Sequence, residues 1–245
     1  MGWDISYHPI AEEEITSIYF AGLEDGDHYK QLSEHFGVNE FYTEQMESRF
    51  AEARKIDASV SFNKGHAFYV AIISGFLRKY HYIRGGAFSF LTDDPTFADY
   101  ISDWKSLVPE QYRAVGFDNK LTENYCGGVF LSNSALRRLR DAYKADADVR
   151  SKLDDLYSHG RLEIFWMAVN DAIENELGLL EASEVVEPNP FDLNASRSLS
   201  NLLNCHPDGA LLYAETATQQ LNEVRSRQEA EPVRKKGFFS RLFGK

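Results

Sequence analysis

Cysteine is scarce in this chain, and an excess of positive charge is missing. Only two cysteines, Cys126 and Cys205, occur among 245 residues, far below the density of a disulfide-stabilised secreted domain. Lys and Arg number 26 against 38 Asp and Glu, and the formal charge of −12 argues against a protein that wraps nucleic-acid phosphates. We therefore expect reduced thiols, a cytoplasmic location and no nucleic-acid partner.

Long hydrophobic runs are also missing. The most apolar stretch, residues 67–77, is about half as long as the roughly 20 residues that a membrane-spanning helix needs. The first residues carry three consecutive acids, Glu12, Glu13 and Glu14, and no basic segment followed by an apolar run. This pattern predicts neither a secretory signal nor a membrane-spanning segment.

The residues that are present have the composition of an ordinary globular protein, 43% apolar and 13% aromatic. Apolar residues recur at helical spacing over most of the chain, and the sequence shows one short strand pattern, residues 128–131. We therefore predict a mainly α-helical fold, α+β with a few short strands at most. It would form a single compact helical domain over residues 1–227. Helices are predicted over these ranges: 11–20, 28–36, 39–56, 63–82, 95–104, 149–157 and 162–177, with further ones capped by Ser132 or Ser134 and beginning at Asp208.

The C-terminal segment, residues 228–245, differs from the rest. It is predicted to be a linker followed by a basic amphipathic tail, and its last twelve residues contain five basic groups and no acid. Residues 1–233 therefore carry 21 basic and 38 acidic groups, a formal charge of −17. The tail is open to three interpretations: a frayed or folded-back terminus, a weak contact with an anionic membrane, or docking into a protein groove. Its candidate residues are Lys235, Lys236, Phe238, Phe239, Leu242 and Phe243.

Cys126 is the one candidate catalytic nucleophile. It precedes two glycines, whose flexible backbone could donate an oxyanion hole, and a cysteine nucleophile needs a histidine base nearby. His66, His81 and His159 are conceivable bases, but no spacing selects one of them. The competing interpretation is a small core residue, since free cysteines are usually buried.

Metal and cofactor motifs are weak. His159 and Glu163 lie four residues apart but lack a third ligand, and the paired glycines lack the longer phosphate-binding fingerprints. We therefore predict no metal site and no cofactor.

Four aspartates, Asp93, Asp94, Asp99 and Asp103, form an acidic run around the helix predicted over 95–104. Carboxylates at a helix start are often simply solvated, because they complement the helix dipole. The alternative is a docking patch for a basic partner.

Three segments carry a resemblance: residues 1–9, residues 185–190 and residues 200–205. They are similar to segments of uncharacterised bacterial cytosolic proteins. Acidic stand-alone proteins of this type resemble the immunity proteins of interbacterial toxin systems, which neutralise a basic toxin by covering its active site. The resemblance includes no catalytic motif, so it assigns no residue a role.

Together these observations favour an acidic binding protein that docks a basic protein partner, with toxin neutralisation as its most concrete form. The binding interpretation is preferred to an enzyme. One alternative is a small hydrolase that uses Cys126 or a pocket histidine. The other is a peripheral membrane adaptor that binds through the C-terminal tail.

Overall fold

A computed structural model describes residues 3–230, with side chains through residue 227. Its α-helices are α1 (Glu12–Glu14), α2 (Ala21–Glu24), α3 (His28–Phe36), α4 (Glu40–Ala53), α5 (His66–Leu77), α6 (Pro95–Ala98), α7 (Trp104–Leu107), α8 (Asn133–Ala145), α9 (Ala147–Leu156), α10 (Arg161–Glu174) and α11 (Pro207–Ala230). Its strands are β1 (Asp4–Ile10), β2 (Tyr80–Arg84), β3 (Gly127–Leu131), β4 (Gly178–Ser183), β5 (Val186–Glu187), β6 (Arg197–Ser198) and β7 (Cys205–His206). A π-helix, Ile15–Phe20, joins α1 to α2, and short 3₁₀ helices cover Phe88–Leu91, Glu110–Tyr112, Leu193–Ala195 and Leu202–Asn204.

A five-stranded mixed sheet lies at the centre of the fold, in the strand order β3-β4-β1-β2-β7. β1 is antiparallel to both β2 and β4, so that Tyr7 lies between His81 on one side and Glu181 on the other. β3 is antiparallel to β4, and β7 adds a short parallel edge beside β2. The first strand of the chain is therefore the central strand of the sheet.

The prediction of a mainly helical domain is wrong, because the structure is an α+β fold built on this sheet. β1, β2 and β4 are absent from the predicted elements. Almost every residue of β1 and β4 is buried, and β4 shows no alternation of apolar and polar residues. β1 alternates only from Asp4 to His8, a run too short to be recognised as a central strand. Pro9 within β1 also argues against a central strand, since proline cannot donate to a ladder.

Two predicted helices are also shorter than expected. The helix predicted over 63–82 ends at Leu77, and β2 begins at Tyr80, because a continuous apolar run does not mark where a buried helix gives way to a buried strand. The helix predicted over 95–104 is replaced by two helices of four residues each, α6 and α7. Each begins at its own capping aspartate, Asp94 or Asp103.

Predicted helices and strands that a local sequence feature marks, such as a capping side chain, are confirmed. α3 has the predicted bounds, and the side chain of Asn39 accepts from the backbone N–H of Tyr42 at 3.1 Å to start α4. Ser132 accepts from the N–H of Ala135 at 3.2 Å to start α8, and the strand predicted over 128–131 is β3. α11 continues to Ala230, so the predicted boundary after residue 227 falls within this helix.

Helices cover both faces of the sheet. α5, the most apolar helix, packs on one face, and α10 with α8 packs on the other. Side chains alternate along β1, so that Ile10 joins the core under α5 while Ile5 and Tyr7 join the core under α10. Among residues 3–230, no helix has both the length and the apolar character needed to cross a bilayer.

Candidate functional site

A cavity of about 550 Å³ opens between β2, the start of α10 and the first half of α11. This volume lies within the range of small-molecule sites in proteins. Its lining combines cationic, aromatic, hydroxyl and apolar groups: Tyr82, Ile83, Arg84, Gly85, His159, Arg161, Ile164, Gly209, Leu212, Tyr213, Thr216 and Gln220.

α11 forms one wall of the cavity because it approaches β2 very closely. Gly209 lies against the backbone carbonyl of Tyr82, and any side chain at this position would overlap that carbonyl. Further along α11, Leu212 lies beside Gly160, just before α10. The helix therefore contacts the rest of the fold through Gly209 and through Leu212, and residues that follow Gly209 line the cavity.

Arg84, the last residue of β2, is held in place on the cavity wall. Its Nη1 lies 2.6 Å from Oδ2 of Asp4, the residue opposite it in the β1–β2 ladder. The other carboxylate oxygen of Asp4 accepts from the hydroxyl of Tyr82 at 2.5 Å. The guanidinium of Arg84 also lies 5.0 Å from the ring centroid of Tyr213 on α11, a cation–π distance. Asp4 thus offsets the charge of Arg84 and positions it.

Arg161, the first residue of α10, has a different environment. Its Nε and Nη2 donate to the carbonyl and hydroxyl of Ser158 at 2.7 and 2.9 Å, and its Nη1 donates to the carbonyl of Arg84 at 3.1 Å. A guanidinium has five N–H donors, so two remain beyond these three bonds. In the described part of the chain Arg161 forms no ion pair with a carboxylate, and burial lowers its pKa.

The turn before α10 adds further positive character. His159 and Gly160 both have left-handed backbone conformations, with φ of +61° and +82°, which reverse the chain sharply into the helix. Left-handed φ is uncommon for a histidine and costs some backbone strain. Gly160 is the N-cap and has no side chain to accept from the first N–H groups of α10. The positive end of this helix dipole therefore lies beside His159 and Arg161.

The cavity is thus a positively charged pocket in a negatively charged protein. Two arginines, one histidine and a helix N-terminus meet there, while Asp4 offsets only Arg84 and Glu163 lies exposed in the first turn of α10. Such an arrangement can bind an anion through charge-assisted hydrogen bonds. The ring of Tyr213 and the side chains of Ile164 and Leu212 offer apolar contact to the rest of a ligand.

Cys126, the candidate nucleophile, lies elsewhere. Its side chain is buried in the core under α10, its Sγ donates weakly to the carbonyl of Asn124 at 3.8 Å, and burial raises its pKa. The three candidate bases have other neighbours: Tyr19 for His66, Asp171 for His81, and the cavity for His159. The structure brings none of them into hydrogen-bond contact with Cys126.

The four aspartates predicted to form a docking patch do not share a helix face. Asp94 and Asp103 cap α6 and α7, accepting backbone N–H groups at 2.9 and 3.0 Å. Asp93 and Asp94 each form an ion pair with a lysine, and Asp99 is exposed. Three of the four carboxylates therefore have local partners.

The structure describes the weak metal-ligand pair His159 and Glu163 but not the C-terminal tail. Among residues 3–230, no group of three or more His, Cys, Asp and Glu side chains is arranged to hold a metal ion. The tail residues lie outside the described part of the chain: Lys235, Lys236, Phe238, Phe239, Leu242 and Phe243.

A separate cluster of polar groups is fully buried between the sheet and α10. The carboxylate of Glu181 accepts from the hydroxyl of Tyr7 at 3.1 Å and from the N–H of Ser89 at 3.2 Å. The hydroxyls of Tyr7 and Tyr157 lie 2.6 Å apart. Burial raises the pKa of Glu181 to about 7. None of these side chains lines the cavity, so we assign the cluster to the core.

Comparison with known proteins adds no assignment. No protein-family model matches the chain, and no curated protein or solved structure matches it significantly. The cavity and the charge distribution are therefore the features of the molecule that bear on its function.

Proposed function

We propose that this protein is a binding protein that takes up a small organic anion in the cavity between β2, α10 and α11. The observation that carries the proposal is the environment of Arg161, whose partly buried guanidinium lies on the cavity wall. Two of its five N–H donors bond to no residue of the described chain, and it forms no ion pair with a described carboxylate. Even a partly buried charge without an ion-pair partner is costly to desolvate, and a bound anion would offset that cost.

The chemical groups that line the cavity, and its volume, indicate which class of ligand it would bind. The guanidinium groups of Arg84 and Arg161, with the imidazole of His159 beside them, would hold a phosphate or carboxylate group. Tyr213 and Leu212 on α11 would contact an apolar or planar portion of the same molecule. A cavity of about 550 Å³ has room for more than the anionic group alone, so we expect an organic anion to bind more tightly than inorganic phosphate.

Calorimetric titration of the full chain with inorganic phosphate, citrate and adenosine monophosphate tests the proposal. At least one organic anion should bind, and Arg161→Gln should weaken its binding about tenfold or more, because charge-assisted hydrogen bonds are lost. Arg138→Gln is the matched control, since Arg138 is exposed on α8 and away from the cavity. It should bind as the wild type does.

A second variant separates loss of binding from loss of folding. Thr216→Trp places a large ring at the cavity wall without changing any charge, and thermal melting reports whether the protein is folded. Binding should be lost while folding persists. The proposal is wrong if none of the three anions binds the wild type, or if Arg138→Gln weakens binding as much as Arg161→Gln.

Docking of a basic protein partner is a second candidate function, and the observation that favours it is the charge of −17 over residues 1–233. Complementary charge would speed association, and toxin neutralisation remains its most concrete form. The test is a fourfold variant in which Asp93, Asp94, Asp99 and Asp103 become Asn. Asn also caps helices well, so the fold should be kept. The wild type should retain one basic protein stoichiometrically from native lysate, and the variant should not retain it.

A further inference from the structure

A second cavity, of about 280 Å³, opens on the α5 side of the sheet and shares no lining residue with the first. It lies where the ends of α2 and α4 meet the start of α5. Apolar and polar side chains line it: Leu23, Ala53, Ile56, Arg54, His66 and Tyr112. Small-molecule sites commonly have volumes of roughly 300–1,000 Å³, so a ligand that fits this cavity must be small.

His66, the first residue of α5, lies in the wall of this cavity and is only 8% exposed. Its Nδ1 lies 2.6 Å from the hydroxyl of Tyr19, which is fully buried and has no other hydrogen-bond partner in the described chain. A buried hydroxyl donates its proton to an acceptor within reach, so Nδ1 is the acceptor here. Burial lowers the pKa of His66 to about 4. The imidazole is therefore neutral at physiological pH and carries its proton on Nε2.

Nε2 of His66 is thus a donor, and no residue of the described chain accepts its hydrogen bond. The rings of Phe20 and Phe62 pack with their centroids 5.8 and 5.9 Å from that of the imidazole and offer no oxygen acceptor. A buried donor left without an acceptor costs free energy. An oxygen atom of a ligand in the cavity would satisfy it.

Arg54, just after α4, supplies the one cation in the lining. Its Nε donates to the carbonyl of Leu23 at 3.2 Å, and its Nη2 donates to the carbonyls of Gly22 and Asp25 at 2.5 and 3.1 Å. These three bonds hold the guanidinium at the end of α2, and the two N–H groups of Nη1 have no partner among the described residues. Glu24 is exposed and does not line the cavity. The charge of Arg54 is therefore available to an anion.

We infer that this second cavity is a binding site for a small monocarboxylate, to which His66 donates through Nε2 and whose charge Arg54 offsets. One guanidinium balances one negative charge, whereas the further charge of inorganic phosphate would have no partner. Leu23 and Ile56 would contact a short alkyl group on the carboxylate. The inference is independent of the first cavity and of its ligand, because different residues form the two sites.

Titration of the full chain with butyrate, followed by the NMR signal of the Ala53 methyl group, tests the inference. This methyl group lines the second cavity, so it reports binding there even if an anion also fills the first. Butyrate should shift the signal saturably, with a Kd on the order of 1 mM. Butyramide, which has the same shape and no charge, should bind about fivefold more weakly, and inorganic phosphate should bind more weakly than butyrate as well.

Variants test the two polar groups separately. Arg54→Gln should weaken butyrate binding about fivefold, as expected for one exposed charge pair. Lys55→Gln is the matched control, since it removes the same charge from an exposed neighbour outside the lining, and it should bind as the wild type does. Tyr19→Phe with His66→Phe removes the donor and its partner together and should abolish binding. Leu23→Trp, which fills the cavity, should also abolish it, and thermal melting shows which variants are folded.

The nitrogen chemical shifts of the His66 imidazole give an independent test, because they distinguish the protonated ring nitrogen from the other. Nε2 should carry the proton at neutral pH, and Nδ1 should not. The inference is wrong if Nδ1 carries it, or if butyrate leaves the Ala53 signal unchanged, so that only water enters the cavity. It is equally wrong if butyramide or phosphate binds as tightly as butyrate, or if Lys55→Gln weakens binding as much as Arg54→Gln.

Discussion

The two faces of the central sheet bury ionisable groups of opposite kind. On the face under α5, His8 is fully buried, with its Nε2 2.8 Å from Oγ of Ser6 and its ring stacked on Tyr80. On the face under α10, Glu181 is fully buried beside Tyr7. Burial disfavours the charged form in both cases, so it lowers the pKa of His8 to about 3 and raises that of Glu181 to about 7. The burial of Glu181 therefore lowers the free energy of unfolding at high pH, whereas the burial of His8 lowers it at low pH.

Two adjacent glycines of β3 show that the faces also differ in how tightly they are packed. A methyl group added to Gly127 would lie 2.5 Å from Cβ of Ala67 and 2.7 Å from the carbonyl carbon of the same residue, on α5. A methyl group added to Gly128 would instead meet the carboxylate of Glu181 and, at 3.1 Å, Cγ of Leu121. The first glycine faces helix backbone, and the second faces side chains.

Gly127→Ala should have the largest effect on stability. Backbone of α5 cannot move away without disturbing the apolar core beneath it, so we expect the free energy of unfolding to fall by about 3 kcal/mol. Gly128→Ala should cost less, about 2 kcal/mol, because a side chain can shift further than helix backbone, although the carboxylate of Glu181 then strains its hydrogen bonds to Tyr7 and Ser89. Urea unfolding of both variants at one pH measures the difference. Equal losses would show that the faces are packed alike.

The strands that make this comparison possible were the hardest elements to predict. Asn39 and Ser132 mark their helices from the sequence because a cap acts on N–H groups two or three residues away. β1 has a weaker local signal, a short alternation of polar and apolar residues that Pro9 interrupts, and it becomes a central strand only through pairing with β2 and β4. Those partners lie far along the chain, and their pairing is not visible in any local pattern.

The candidate cavity was predictable only in part, for the same reason. His159 stands out in the sequence as a possible functional histidine, but Arg84 and Arg161 do not, because they meet where the end of β2 lies beside the start of α10. Gly160, a turn residue just before α10, was the sequence feature that could have indicated a sharp turn at the Arg161 end of the cavity. Glu181, the one acid in a mostly apolar strand, was a comparable signal for the buried cluster.

Glu181→Gln should change the pH dependence of stability on the α10 face. In the wild type the folded pKa of about 7 exceeds the ordinary value of 4.5, so the folded state binds more protons than the unfolded state between these values. Stability from this group is therefore full below about pH 4.5 and is lost as the pH rises through 7, by about 3 kcal/mol in all.

Gln has the same shape and can still accept from Tyr7, but it does not titrate. Unfolding free energies at pH 5, 6, 7 and 8 should therefore show the variant gaining on the wild type as the pH rises. A constant difference between the two proteins across this range would mean that Glu181 has the same pKa in both states.

His8→Phe should produce the smaller and opposite change on the α5 face. The folded pKa of His8, about 3, lies below its ordinary value of 6.5, so the unfolded state binds the extra proton. Stability from this group is full above pH 6.5 and is lost as the pH falls towards 3, which amounts to about 2 kcal/mol by pH 5. Phe keeps the stacking on Tyr80 and cannot be protonated, so it should lose less stability than the wild type between pH 7.5 and 5. If the two proteins lose the same free energy of unfolding over that range, His8 binds its proton as readily in the folded state as in the unfolded state. The two faces of the sheet would then not differ in the pH dependence that we expect.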